Sequence, residues 1–208
     1  MLNKYNKSAY LKRYNLRLNK YGYDPKTLGW GGGYERQRMR YRELLKISDF
    51  IQKDISSLLD VGCGFADLYK YIKEEKLEIA YKGIDINEEL LRIGKQIHGH
   101  GLDIEKLDIA DPKCNIPRFD LVLESGIFNA KLKKQNQIEY IESMLKKMFD
   151  LAEIGVAADF MTTKVDWQSQ DAFHLDPSCC LKMCLGISKK VVVRHDYLPY
   201  EFLIYLIR

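Results

Sequence analysis

The stretch Leu58-Leu59-Asp60-Val61-Gly62-Cys63-Gly64-Phe65-Ala66-Asp67-Leu68 constrains this chain most. Leu58 to Val61 is apolar, β-branched at its end and met at once by glycines, the pattern of a short buried strand entering a turn. Gly62 and Gly64 permit a tight turn and let a ligand come close to the backbone. Asp67-Leu68-Tyr69-Lys70-Tyr71-Ile72 then carries helical spacing. Strand, glycine turn and helix make a nucleotide site, with the ligand at the helix start beyond the strand's carboxyl end.

A dinucleotide fingerprint needs a third glycine for close helix–strand packing. Asp67 holds that position here, which argues against NAD. Asp60, just before the turn, points the same way: a carboxylate there repels a pyrophosphate and attracts an α-ammonium. Tyr81-Lys82-Gly83-Ile84-Asp85-Ile86 reads as a second strand ending in an acid. It lies about 20 residues on, the distance at which a carboxylate accepts from ribose hydroxyls. Asp60-Val-Gly-Cys-Gly and Gly-Ile-Asp85 together resemble the glycine motif and ribose-binding acid of the class I S-adenosylmethionine (SAM) methyltransferases. A structural strand–turn–helix in another α/β protein is the plain alternative.

The resemblance implies an α/β fold: a seven-stranded, mostly parallel, doubly wound sheet with an antiparallel last strand, preceded by an N-terminal helical cap. It covers residues 55–208, expected to form the SAM-binding domain, with 1–54 as a basic cap segment. It implies SAM as cofactor, S-adenosylhomocysteine (SAH) as product, and contacts from Asp60, Gly62, Cys63, Gly64, Phe65, Asp85 and Ile86. Asp108-Ile109 follows a third strand at Ile104–Leu107 and occupies the family's adenine position. Phe119-Asp-Leu-Val-Leu-Glu124 resembles the family's fourth strand, and Glu124, Ser125 and Gly126 complete the expected cofactor set.

At 208 residues the chain suits one domain with a real core. No apolar run approaches the roughly 20 residues that span a bilayer, and the polar N-terminus lacks a secretory signal's apolar core. Five cysteines form no paired zinc spacing, so no metal is expected, and free thiols fit a reducing cytoplasm. Residues 1–46 hold twelve Lys/Arg against three acids, a net of +9 that leaves −5 for the rest. This charge fits an anionic substrate, or a solvated helix face.

Leu11, Tyr14 and Leu18 fall at helical spacing, giving a helix over roughly 8–20. Tyr5, Tyr10, Tyr14, Tyr21 and Tyr23 interleave with Lys/Arg; such rings stack on bases or pack on the main domain. Gly29-Trp30-Gly31-Gly32-Gly33 marks a flexible connection carrying a tryptophan. A helix follows over Tyr34–Phe50. Trp30, Gln37, Arg40 and Tyr41 resemble a Trp…Gln…Arg-Phe pattern of a bacterial subgroup of the family, and Ser125-Gly-Ile-Phe128-Asn129 resembles the same subgroup. That places Trp30, Tyr34, Arg40, Phe128 and Asn129 at the substrate, with Arg40 able to grip a carboxylate or phosphate by two hydrogen bonds. Arg40 on a solvated face is the alternative. The Asn/Asp-Pro-Pro-Tyr/Phe sequence typical of amide and base nitrogen methylation is missing.

Asn87 is expected to cap a helix whose first turn carries Glu88 and Glu89. His98 and His100 lie at its end in surface or capping roles. Gln135–Leu151 reads as an amphipathic helix, Gly155–Phe160 as a fifth strand, and 162–178 as a long polar loop suited to a substrate lid. After a short helix at 178–186, Lys190–Asp196 and Glu201–Ile207 make a hairpin, as in the family's final antiparallel pair. Methyl transfer needs alignment, desolvation and, for a hydroxyl acceptor, proton removal. His195 at the sixth strand's end, His174 in the lid, Asp159 and Tyr197 are candidate bases; Trp30, Tyr34 and Phe128 are candidate partners for the sulfonium. The expected activity is methylation of O or N in a small, anionic metabolite such as a nucleotide-linked sugar or surface-polysaccharide precursor. RNA methylation and SAM binding without catalysis are the other readings.

Overall fold

The computed structural model describes residues 2–99 and 101–208; His100 and the side chain of Tyr5 lie outside the described residues. The chain opens with three helices. α1 (Lys4–Tyr21) is capped by Asn3, whose side chain accepts from Asn6 N, so it starts ahead of the expected 8–20. α2 (Pro25–Leu28) has Asp24 as its cap and ends at Gly29 with φ +93°. α3 (Gly33–Leu45) passes into a 3₁₀ turn at Lys46–Phe50. The single helix expected over 34–50 is thus split, with the Ser48 hydroxyl taking the Leu45 carbonyl at the break.

The remaining elements are β1 (Ser57–Val61), α4 (Asp67–Glu74), β2 (Ala80–Asp85), α5 (Glu88–His98), β3 (Ile104–Lys106), β4 (Phe119–Glu124), α6 (Gln137–Leu151), β5 (Ala152–Thr162), β6 (His174–Leu175), α7 (Pro177–Leu185), β7 (Lys190–Leu198) and β8 (Glu201–Ile207). The sheet order is β3-β2-β1-β4-β5-β8-β7, with β6 on β5. β1 to β5 pair in parallel; β8 is antiparallel to both β5 and β7. The mostly parallel sheet with an antiparallel last strand is as the sequence implied.

Two details differ. The sheet gains an eighth, two-residue strand, β6, which pairs at Met161 and Thr162. β5 also runs over 152–162 rather than 155–160, starting directly where α6 ends. Alternation along β8 explains its unbroken apolar run. Phe202, Ile204 and Leu206 enter the core beneath α6 and α7, while Leu203, Tyr205 and Ile207 enter the core beneath α3 and α4. Every β8 residue is therefore buried, as in strands covered on both faces; each such aliphatic side chain contributes about 1.5–3 kcal/mol. Among the described residues no helix is long and apolar enough to cross a membrane.

Candidate active site

The carboxyl ends of β1 to β4 open onto one cleft holding about 1030 Å³ of empty space. Its floor is the glycine turn. The N–H groups of Gly62 and Cys63 both donate to Ile84 O, at 2.7 and 3.0 Å. Gly62 has φ +79°, and a Cβ there would stand 2.2 Å from Ile127 Cγ2, so only glycine fits. Asp85 ties the turn to α5: its Oδ2 accepts from Gly64 N at 2.9 Å and its Oδ1 from Asn87 N at 2.7 Å. Asn87 caps α5 through Glu89 N and Leu90 N, as expected.

Asp60 lies 5% exposed on the wall and accepts from the Tyr81 hydroxyl at 2.8 Å. Burial pushes its carboxyl up to about 7. Helix α1 roofs the cleft: Tyr10 donates to Ile127 O at 2.7 Å, Lys7 meets Asp108 at 3.3 Å, and Asn87 Nδ2 donates to Asn15 Oδ1 at 2.9 Å. The donor set fits SAM: Asp60 could offer a carboxylate to its ammonium, Asp85 could accept from its ribose, and Asp108 with Ile109 could offer an acid and an apolar cover to its adenine, all four lining the cleft.

A second, wider cleft of about 1780 Å³ adjoins the first, with Tyr14, Leu28, Trp30 and Gly126 lining both. Arg40, 4% exposed, sits on its wall. Its Nε donates to Glu201 Oε2 at 2.6 Å, its Nη2 pairs with Oε1, and its guanidinium lies 4.3 Å from the Trp30 ring centroid. Its Nη1 is buried with no hydrogen-bond partner among the described residues. Gly126, at φ +92°, leaves just enough room for Trp30, whose ring would come within 2.6 Å of a Cβ there. Asp159 is wholly buried behind this wall. It accepts from the Ser125 hydroxyl at 2.6 Å, and burial followed by the nearby Glu201 pushes it up to about 7.

Of the residues expected at the cofactor, Asp60, Gly62, Cys63, Gly64, Asp85, Ile86, Asp108, Ile109, Ser125 and Gly126 line the first cleft. Phe65 and Glu124 do not. Phe65 turns into the core edge-on to Tyr23. Glu124 folds back to accept from Ile127 N and Asp159 N, at 2.9 and 3.0 Å, fixing the 125–127 turn from behind; burial keeps its carboxyl well above the ordinary range. Of the substrate set, Trp30, Arg40 and Asn129 line the second cleft. Phe128 is a core residue stacked on Phe160, and Tyr34 lies 46% exposed on α3, outside both clefts.

Among the candidate bases, His174 lines the second cleft. His195 is exposed on β7 against Phe202 and lines neither cleft. Tyr197 has a buried hydroxyl without a hydrogen-bond partner among the described residues, and the field of Asp159 and Glu201 adds to burial in holding it protonated. The sequence reading missed the cations Arg13, Arg17, Arg36 and Lys164 around the second cleft. The basic N-terminal composition was the one signal for the three arginines, and Lys164 had none.

Comparison with known proteins agrees with this geometry. A methyltransferase-domain family model matches residues 59–155. Rv1506c of Mycobacterium tuberculosis (strain ATCC 25618 / H37Rv), which carries a methyltransferase designation, is 31% identical over 159 residues, covering 73% of this chain and 92% of its own. Magnesium protoporphyrin IX methyltransferase from Synechocystis PCC 6803, solved with SAM, superposes with a TM-score of 0.65 at 14% identity, over 100% of this chain and 98% of that one. The plantazolicin methyltransferase BpumL, solved with a triazolic desmethylPZN analogue and SAH, gives 0.64 at 15% identity over 99% of each chain. The chain belongs to the class I SAM-dependent methyltransferases. Its cofactor is SAM, which supplies a methyl group already activated on a positively charged sulfur.

Proposed function

We propose that this enzyme methylates a small anionic metabolite held in the second cleft, with residues 1–54 forming a cap over both ligands. The observation that carries this is Arg40 Nη1: a buried guanidinium N–H on the cleft wall that no group among the described residues satisfies. An unpaired buried donor of this kind costs free energy, on the order of 1–3 kcal/mol or more for a charged group, which an anionic ligand recovers. Glu201 already takes the other two sides of the fork, so it fixes the direction in which Nη1 points. Arg13, Arg17, Arg36 and Lys164 ring the same space, against Asp166 and Glu201. That field draws a carboxylate or phosphate from solution.

The cap supplies alignment and dryness. Trp30 is held by Arg40 on one side and by Gly126 on the other, at the seam between the clefts. It can thus keep water from the transfer while presenting an aromatic face to a cation. Buried Cys63, Cys180 and Cys184 are free thiols, which fits a reducing cytoplasm. The test is incubation of the enzyme with methyl-labelled SAM and a low-mass filtrate of cell extract, followed by anion exchange. Label is expected in retained, anionic fractions. Label confined to neutral fractions, or entering added RNA instead, overturns the reading.

A further inference from the structure

Five buried side-chain polar atoms lack a hydrogen-bond partner among the described residues: Arg40 Nη1, His98 Nε2, His174 Nε2, and the hydroxyls of Tyr197 and Tyr200. Three of these residues, Arg40, His174 and Tyr200, line the second cleft. Arg40 accounts for an anion. His174 calls for something different, because its other nitrogen is committed. Nδ1 lies 2.8 Å from Thr162 O. A carbonyl oxygen can only accept, so Nδ1 carries the proton of the neutral ring, and Nε2 is left as a bare lone pair.

The position of His174 is as specific as its tautomer. It sits on β6, whose two residues continue the sheet beside the end of β5, at the register Met161↔His174. Asn129, on the same cleft wall, is locked to this strand end by accepting from Met161 N at 3.0 Å. Backbone bonds from Thr163 N to Leu175 O and from Phe173 N to Asn129 O, at 3.2 and 2.9 Å, hold both flanks of the histidine. The ring is therefore anchored to the sheet rather than carried on a loose lid.

We propose that His174 Nε2 is the proton acceptor for a hydroxyl group, and that this enzyme is an O-methyltransferase. The inference rests on the reading of the second cleft as the acceptor's place. The hydroxyl proton passes to Nε2 as the oxygen bonds to the transferred carbon. The electron pair of the broken carbon–sulfur bond stays on sulfur, leaving a neutral thioether. The imidazolium keeps Nδ1–H on Thr162 O and returns the Nε2 proton to water. An amine, which brings its own lone pair when neutral, needs no such acceptor.

His174→Asn separates this role from a structural one, because the Asn amide can still donate to Thr162 O where Nδ1 did, but offers no lone pair at the Nε2 position. The first readout needs no cofactor. In ¹⁵N-histidine NMR of the wild type at neutral pH, the signals lost in His174→Asn should report a protonated Nδ1 and a bare Nε2; a protonated Nε2 overturns the proposal. The second uses methyl-labelled SAM with the low-mass filtrate. Label is expected as O–CH₃ by carbon NMR, with the rate falling about 10²- to 10⁴-fold in His174→Asn and partly restored by added imidazole. The melting temperature and SAH affinity should stay unchanged. Label found as N–CH₃, or an unchanged rate in the variant, overturns it. No transfer by a wild type that binds SAH would instead overturn the reading of the second cleft, while the NMR result would still decide the tautomer.

Discussion

Asp60 shows how one residue can link the fold to ligand affinity. Its carboxyl is held up to about 7 by burial, against the Tyr81 hydroxyl bond that favours ionisation. An ammonium brought beside it takes the ionised form, so binding expels a proton wherever the free carboxyl is still protonated. Calorimetry is expected to show SAH affinity rising from about pH 6 to about pH 8 with proton release, and a flat profile for Asp60→Asn. That variant should also bind more weakly by about 1.5–3 kcal/mol, roughly ten- to a hundredfold. Arg40 and Glu201 pose a different test. Removing one member of a buried ion pair strands the other, at about 3–5 kcal/mol, whereas replacing both by apolar side chains is close to neutral. Arg40→Met should lower the urea midpoint strongly, and Arg40→Met with Glu201→Met should recover most of it.

Among the elements, those legible in the sequence are the ones specified locally. The β1–α4 turn needs Gly62 and Gly64 at positive φ, and the two strands of the final hairpin lie close together in the chain. Elements specified at a distance were hidden. Phe65 and Phe128 follow motif residues directly, and nothing local tells whether such a ring faces the ligand or the core. His195 lies in the stretch between Arg194 and Leu198 where the register with β8 shifts, so strand alternation cannot say where it points. β6 has two residues and owes its existence to its bonds with β5. The Arg40–Glu201 pair joins positions 161 apart. α1 is an element whose role only contacts reveal. Its apolar periodicity is weak, and it is held to the cleft by Tyr10, Lys7 and Asn15. Tyr10→Phe with Lys7→Ala should leave the sheet intact by circular dichroism while making α1 the first site of proteolytic cleavage; SAH should restore protection.

For the whole molecule, buried carboxyls set a pH response, Asp85 and Glu124 being raised along with Asp60 and Asp159. Burial pushes Asp60 and Asp159 up from the ordinary carboxylate value of 3.8, which an unfolded chain would show, to about 7. Between those values the folded state holds protons that the unfolded state has lost. Their contribution is complete below the lower value and disappears as pH rises through the upper one. Asp159→Asn keeps an acceptor for Ser125 and removes that titration. Urea unfolding at about pH 5 and about pH 8 should therefore show the wild type losing more stability across the interval than the variant, by a few kcal/mol at about 1.4 per pKa unit. A larger loss in the variant would place the raised carboxyl elsewhere.

Tyr14, Leu28 and Trp30 are walls of both clefts and all belong to the N-terminal segment. Neither compartment therefore has a private door. Were the segment to swing aside and let spent cofactor leave, the partition beside the acceptor would go with it, and the second chamber would open in the same movement. A bound acceptor that pins Trp30 is then expected to slow SAH departure in stopped-flow measurements, a brake that Trp30→Ala would release.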